Sequence, residues 1–310
     1  LICVLQIIFM NKVFIIPFII SSLLIISCTN SSFKKNKAQA IQKSYIKNFE
    51  TINLDYQLKE ISGITFVNDS LIAAVEDENG IVYFLDLHQK KIIRKLIFGE
   101  SGDFEDITKV NTDLFIINSK GNLTQIVSFE DKNPKVIAHK TAFKKKNDIE
   151  SIVYDEAKHQ LLIAVKAEDL KGNENKKAIY TCSLTDFKVD ENPYLSISHQ
   201  KLLNIFKGDR WEELSKAFLK KLGNENLNKV FSPTALAIHP QEKDLYILSS
   251  TNNFIVVIHQ QEIKQVISLV GNAFTQPEGM AFNSKGELYI SNEGKKLSGN
   301  ILKITSIHDK

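Results

Sequence analysis

Short apolar runs alternate with polar turns along this chain, and the alternation itself repeats. A first apolar strand follows an acidic or Pro-containing turn at 59–66, 103–108, 148–154, 232–238 and 276–282. Glu60 and Glu105 are 45 residues apart, Glu105 and Glu150 are 45 apart again, and Thr234 and Glu278 are 44 apart. A second apolar strand follows at 70–75, 113–117, 160–165, 244–248 and 287–290. Hairpin-type turns such as Glu78-Asn79-Gly80 and Ser119-Lys120-Gly121-Asn122 come next. Third strands alternate apolar and polar residues, as over 178–184, and fourth strands follow, as over 91–97. This period is that of one four-stranded propeller blade. Near-continuous apolar inner strands are what burial on both faces requires.

Five units fit, at roughly 60–102, 103–147, 148–230, 231–275 and 276–310. The last supplies only three strands, so the segment 51–56 is expected to close the ring as its outer strand, protecting the sheet edges. Six blades fit as well if the long third unit hides another. The excess length of that unit reads as an inserted helix near 209–222. Trp211, Leu214, Phe218 and Leu222 recur at helical spacing, Asp209 and Glu212 suit a capping box, and Gly223 suits a C-terminal stop. Such a helix covers a propeller face or edge, or acts as a lid over the channel. The expected fold class is all-β, a single β-propeller over 34–310.

The first 33 residues read as an address. Met10 is followed by a short positive segment, Asn11-Lys12, and then by an apolar run over 13–26. Fourteen residues are too few to span a bilayer comfortably and suit a signal peptide. The run ends in Ile25-Ile26-Ser27-Cys28, which resembles a bacterial lipobox. That resemblance implies cleavage before Cys28 and acylation of Cys28; Thr29-Asn30-Ser31-Ser32 then reads as a polar tether, and Met10 reads as the start, with residues 1–9 upstream of it. An uncleaved anchor using residues 1–9 is the alternative, but it would bury Asn11 and Lys12 in the bilayer. The expected location is the cell envelope, membrane-anchored through the lipid. No acidic surface-export signal follows Cys28, which favours the periplasmic side.

With 43% hydrophobic residues, the chain has material for a packed core. Its 39 basic and 36 acidic residues leave a net charge of only +3, without the basic footprint of a nucleic-acid binder. No nucleic-acid partner is expected. With Cys3 removed and Cys28 acylated, Cys182 stands alone, which excludes an intrachain disulfide and a Cys-based zinc site.

Four acids, Glu60, Glu105, Glu150 and Glu278, occupy matching repeat positions at the entry to the inner strands. A propeller would bring them to one mouth of the central channel. Carboxylates crowded in a low-dielectric space repel one another unless neutralised. A hard cation with oxygen ligands, Ca²⁺, is the candidate cofactor. The alternative is that these carboxylates accept backbone N–H bonds within the turns. Thr234 interrupts the acidic series. Nucleophile-elbow, metalloprotease and phosphate-loop motifs are absent. The seven histidines lie mostly beside turns. A metal-dependent hydrolase acting on an ester, lactone or phosphoester through channel carboxylates is the second functional reading.

The series Glu60-Ile61-Ser62-Gly63-Ile64, Gly102-Asp103-Phe104-Glu105-Asp106-Ile107, Ile149-Glu150-Ser151-Ile152, Ser232-Pro233-Thr234-Ala235-Leu236 and Pro277-Glu278-Gly279-Met280-Ala281 resembles the SdiA-regulated (YjiK-like) β-propeller lipoprotein family over about 50–310. The last unit also resembles NHL and lactonase-type propellers. The family resemblance implies an envelope protein, with one branch linked to calcium homeostasis and a phytase-like or esterase-like activity suggested. The expected function is an envelope-anchored propeller binding calcium, a small-molecule ligand or a protein partner.

Overall fold

The computed structural model describes residues 41–206, 220, 230–294 and 297–309. The described chain enters through β1 (Gln42–Asn53) and then builds four-stranded sheets in sequence order. The first blade is β2 (Ile61–Asn68), β3 (Leu71–Glu76), β4 (Ile81–Asp86) and β5 (Lys91–Ile97). The second is β6 (Phe104–Val110), β7 (Asp113–Asn118), β8 (Leu123–Val127) and β9 (Lys135–His139). The third is β10 (Ile149–Asp155), β11 (Gln160–Val165), β12 (Lys176–Ser183) and β13 (Leu195–Ser198). The fourth is β14 (Pro233–Ile238), β15 (Leu245–Ser249), β16 (Phe254–His259) and β17 (Glu262–Leu269). The fifth is β18 (Pro277–Phe282), β19 (Leu288–Asn292) and β20 (Asn300–Asp309), completed by β1. Contacts between successive inner strands run β2–β6–β10–β14–β18 and return to β2, which closes the ring at five blades among the described residues.

Alternation along each strand explains the core. Side chains of one parity face the preceding blade and those of the other parity face the next. The buried apolar residues accordingly fall into five clusters, one at each seam between blades. At the seam of the first and second blades, Val75 and Phe84 meet Ile107, Ile116 and Phe129.

The closing strand is longer than the segment expected at 51–56 and ends at Asn53. Its second half pairs antiparallel with β20, from Phe49 opposite Ile304 to Asn53 opposite Asn300. Its first half runs parallel to β17, from Gln42 opposite Gln265 to Ile46 opposite Leu269. One strand therefore stitches the fourth and fifth blades into a continuous eight-stranded sheet. A helix, α1 (His199–Phe206), follows the third blade, with Leu202, Ile205 and Phe206 buried at the seam with the fourth. The helix expected near 209–222 lies, apart from Lys220, outside the described residues, as do Cys28 and the leader. Among the described residues no helix is long and apolar enough to cross a membrane. Cys182 is buried and free, and burial pushes its thiol up to about 12, where it is unreactive.

Every inner strand carries a register irregularity at the same place. The pairing skips a residue between Ile61 and Gly63, Phe104 and Asp106, Ile149 and Ser151, Pro233 and Ala235, and Pro277 and Gly279. The extra residue is thus Ser62, Glu105, Glu150, Thr234 or Glu278. A β-bulge of this kind re-aims its extra side chain and bends the strand. The residue after it must be small in two blades. A Cβ on Gly63 would lie 2.5 Å from the Asp106 Cα, and one on Gly279 would lie 2.8 Å from the Ser62 carbonyl oxygen.

Candidate functional site

The five bulges sit at one end of the channel, and two kinds of side chain occupy them. Ser62 and Thr234 are short, and each hydroxyl donates to the first carbonyl of the next blade's inner strand. Ser62 reaches the Phe104 oxygen at 2.8 Å, and Thr234 reaches the Pro277 oxygen at 3.3 Å. Glu105, Glu150 and Glu278 are longer and face a cavity of about 270 Å³ at this mouth. Glu60 lines the same cavity, so all four acids marked out by the repeat converge there.

The register of Glu60 needs correction. It precedes the bulge by two residues, so its structural equivalents are Asp103 and Asp148, not Glu105 and Glu150. Matching backbone bonds confirm the alignment. The N–H groups of Asp77, Ser119, Lys166 and Glu293 donate to the carbonyls of Glu60, Asp103, Asp148 and Gln276 respectively. The mouth is therefore tiered. Bulge glutamates lie in one tier and the strand-entry acids Glu60, Asp103 and Asp148 in another. Asp77, Lys166 and Glu293, each just past a second strand, add a third.

Four charged residues lining the cavity were not singled out from the sequence: Asp103, Asp148, Glu293 and Lys166; a fifth, Asp77, opens Asp77-Glu78-Asn79-Gly80, which invites comparison with a calcium loop but reads as a plain hairpin turn. Asp103 and Asp148 each stand two residues before a bulge glutamate, and that shared offset is the signal for them. The others follow second strands, where only an aligned β-bulge reveals their equivalence.

Eight carboxylates and a single ammonium line the cavity: Glu60, Asp77, Asp103, Glu105, Asp148, Glu150, Glu278 and Glu293 against Lys166. Lys166 lies 2.6 Å from Glu150 and 3.9 Å from Asp148. The imbalance shows in proton affinity. Burial, reinforced by Glu150 and Asp103, pushes Glu105 up to about 9. Burial and the Glu150 charge push Glu278 up to about 8. Burial lifts Glu150 itself to about 7 against the opposing pull of Lys166. Asp77 rises to about 6 through burial and the neighbouring Glu60 and Glu76 charges. Burial works against the charged Lys166, yet Glu150 and Asp148 raise its proton affinity on balance. Such a concave acidic mouth focuses field lines and concentrates cations. Among the described residues no three His, Cys, Asp or Glu side chains stand close enough together to grip one bare metal ion.

Five blades, a channel, and acids on its bulges define this molecule as a five-bladed β-propeller with an anionic channel mouth. The chain belongs to the SdiA-regulated family, whose model matches residues 37–296. No curated protein sequence matches the chain. Glutaminyl cyclase of Myxococcus xanthus is similar in fold, with a TM-score of 0.54 at 9% identity over 88% of this chain and 99% of that one. A luciferin-regenerating enzyme aligns with a TM-score of 0.48 at 10% identity, over 84% of this chain and 96% of that one. A streptogramin B lyase aligns with a TM-score of 0.46 at 10% identity, over 83% and 98%. At such identities the likeness is one of fold, and fold does not select function.

Proposed function

We propose that the chain is an envelope lipoprotein, anchored through acylated Cys28, whose acidic channel mouth binds a hard divalent cation, Ca²⁺. The observation that carries this reading is the convergence of Glu105, Glu150 and Glu278, with five further acids, on one cavity holding a single lysine. Each of these three glutamates has its proton affinity raised, so neutralisation is favourable. A cation neutralises several carboxylates at once, and calcium tolerates six to eight oxygen ligands in loose geometry. Water occupies roughly 30 Å³ per molecule, so a cavity of about 270 Å³ has room for an ion that keeps part of its hydration shell. Water-mediated ligation suits carboxylates too widely spaced to meet on a bare ion. The lipobox pattern Ile25-Ile26-Ser27-Cys28 supports the anchor.

Calorimetric titration of the purified chain with Ca²⁺ tests the reading. Saturable heat and a rise in Tm are expected, both reduced in the Glu105→Gln and Glu278→Gln variants. The absence of both in the unaltered chain removes the proposal.

A further inference from the structure

The channel has a second mouth, chemically unlike the first. Beyond the bulges the inner strands pass beneath it at Ile64, Ile107, Ile152, Leu236 and Met280, whose side chains are buried in the seams between blades, so its floor is largely strand backbone. Two residues further on, the same strands present Phe66, Lys109, Tyr154, Ile238 and Phe282 at the rim. These residues enclose about 390 Å³, within the size range of small-molecule pockets. Between the two mouths lies the buried Asp106 carboxylate, which lines neither cavity. The second mouth is therefore a separate site from the acidic one.

Its walls are held from behind. The Phe66 ring packs edge-on against Tyr289 at 5.0 Å, and Phe282 packs edge-on against Tyr246 and His239, each at 4.9 Å. The Tyr154 hydroxyl is tied to His159 at 2.8 Å. Rotamers fixed by packing make a preformed pocket. Lys243 spans the rim to Glu156 at 3.7 Å and so has a counter-charge. Lys109 differs. Its backbone N–H donates to Thr65 Oγ1, but the ammonium of this half-buried residue has no hydrogen-bonding or ionic partner among the described residues. The two carboxylates of this mouth are engaged elsewhere, Asp155 by the Gln160 amide at 3.1 Å and Glu156 by Lys243, which leaves the Lys109 ammonium beside the apolar rim residues Phe66, Tyr154, Ile238 and Phe282.

We infer that this mouth binds a small amphiphilic organic anion, its apolar body against the rim side chains Phe66, Tyr154, Ile238 and Phe282 and its carboxylate or sulfonate on the Lys109 ammonium. Charge pairing orients the guest, and the apolar area it covers on the rim adds to the affinity.

The probe is 8-anilinonaphthalene-1-sulfonate, titrated by fluorescence onto the full chain, alongside its neutral relative N-phenyl-1-naphthylamine. One saturable site per chain is expected for the anion, with the neutral compound bound about tenfold more weakly. Lys109→Glu is expected to weaken the anion by about tenfold while leaving the neutral compound unchanged, and Lys109→Arg to retain the anion. Thermal unfolding of each variant establishes that it is folded. Non-saturable binding of the anion, equal affinity for both compounds, or indifference to Lys109→Glu in a folded variant would overturn the inference.

Discussion

The Ser151 hydroxyl of the third blade donates to the Asp106 carboxylate of the second, across the seam at the middle of the channel. Both residues follow a bulge in their own strand, and both are buried. The Asp106 carboxylate also accepts the backbone N–H of Ile152 at 3.0 Å and of Ile107 at 2.8 Å. Ser151 Oγ in turn accepts the Leu236 N–H of the fourth blade at 2.8 Å. Three blades are thus locked through two side chains. Burial pushes Asp106 up to about 8 despite the three donors aimed at it. Asp106→Ala would leave those donors unmatched in a site without water access, at a cost of about 3 kcal/mol. Asp106→Asn, which keeps one acceptor, should cost less. Urea unfolding of the two variants measures the order, and an Asp106→Ala variant as stable as the parent chain would refute the account.

Much of this was legible beforehand. Strands 91–97 and 160–165 fall where the hydrophobic pattern puts them, because each blade buries its strands in the same alternating way. Convergence of Glu105, Glu150 and Glu278 follows from their matching places at the start of the inner-strand apolar runs. Glu60 was misaligned because a β-bulge adds a residue without leaving a compositional mark. The pattern Lys59-Glu60-Ile61 mimics Phe104-Glu105-Asp106 unless strand pairing is known. Glu293 was invisible for a related reason, and Asp77 stood out only as the start of a hairpin turn, since both reach the cavity from second strands.

The raised proton affinities give the acidic mouth a pH signature. A carboxylate held at about 9 in the fold, like Glu105, or at about 8, like Glu278, binds protons more tightly folded than unfolded. Its contribution is fully present below the ordinary carboxylate range and is lost as pH rises through the folded value. The ion-free chain should therefore lose stability as pH is raised from about 5 to about 9. Glu105→Gln and Glu278→Gln should flatten that decline, and saturating Ca²⁺ should reverse it most strongly at the alkaline end. Thermal melts across this range, with chelator and with calcium, decide the point. A steeper decline in Glu105→Gln would contradict the stated origin.

Packing between the first and second blades predicts a sharp size limit. The Cβ of Gly63→Ala would come within 2.4 Å of Asp106 Oδ1 and 2.5 Å of the Asp106 Cα. A backbone neighbour cannot rotate away, so the first and second blades must separate locally. Overpacking of this kind costs about 1–3 kcal/mol. Gly271→Ala meets no atom within 4 Å, but its φ of 110° strains any side chain. Gly99→Ala, which also meets nothing within 4 Å and has no such backbone conformation, is the clean comparison. Denaturant midpoints should fall for Gly63→Ala and hold for Gly99→Ala.

If Cys28 carries the lipid, Cys28→Ala should release the chain from the membrane fraction and abolish incorporation of radiolabelled palmitate. One acyl chain alone gives only reversible membrane binding, so stable retention needs the multiply acylated cysteine. Membrane retention of Cys28→Ala without label would favour an uncleaved apolar anchor instead.

Ring closure rests on β1 more heavily than on any blade's internal hairpins, because β1 is shared. Ile46 is fully buried at the seam of the fourth and fifth blades, and Ile52 is buried at the seam of the fifth and first. Ser44 Oγ accepts from Gln265 at 2.7 Å and donates to Asp309 at 2.9 Å, tying β17 to β20 through one hydroxyl. Ile46→Ala leaves a cavity where two blades meet and should cost about 3 kcal/mol, lowering Tm by about 5–10 °C. Removing β1 altogether exposes the edges of β17 and β20, and such unpaired edges invite association. A chain lacking residues 41–53 should therefore aggregate on refolding, and a synthetic peptide of residues 42–53 supplied in trans should restore a monomeric, cooperatively melting species. Light scattering and calorimetry distinguish the outcomes: a truncated chain that stays monomeric and melts like the parent would show that β1 does not close the ring.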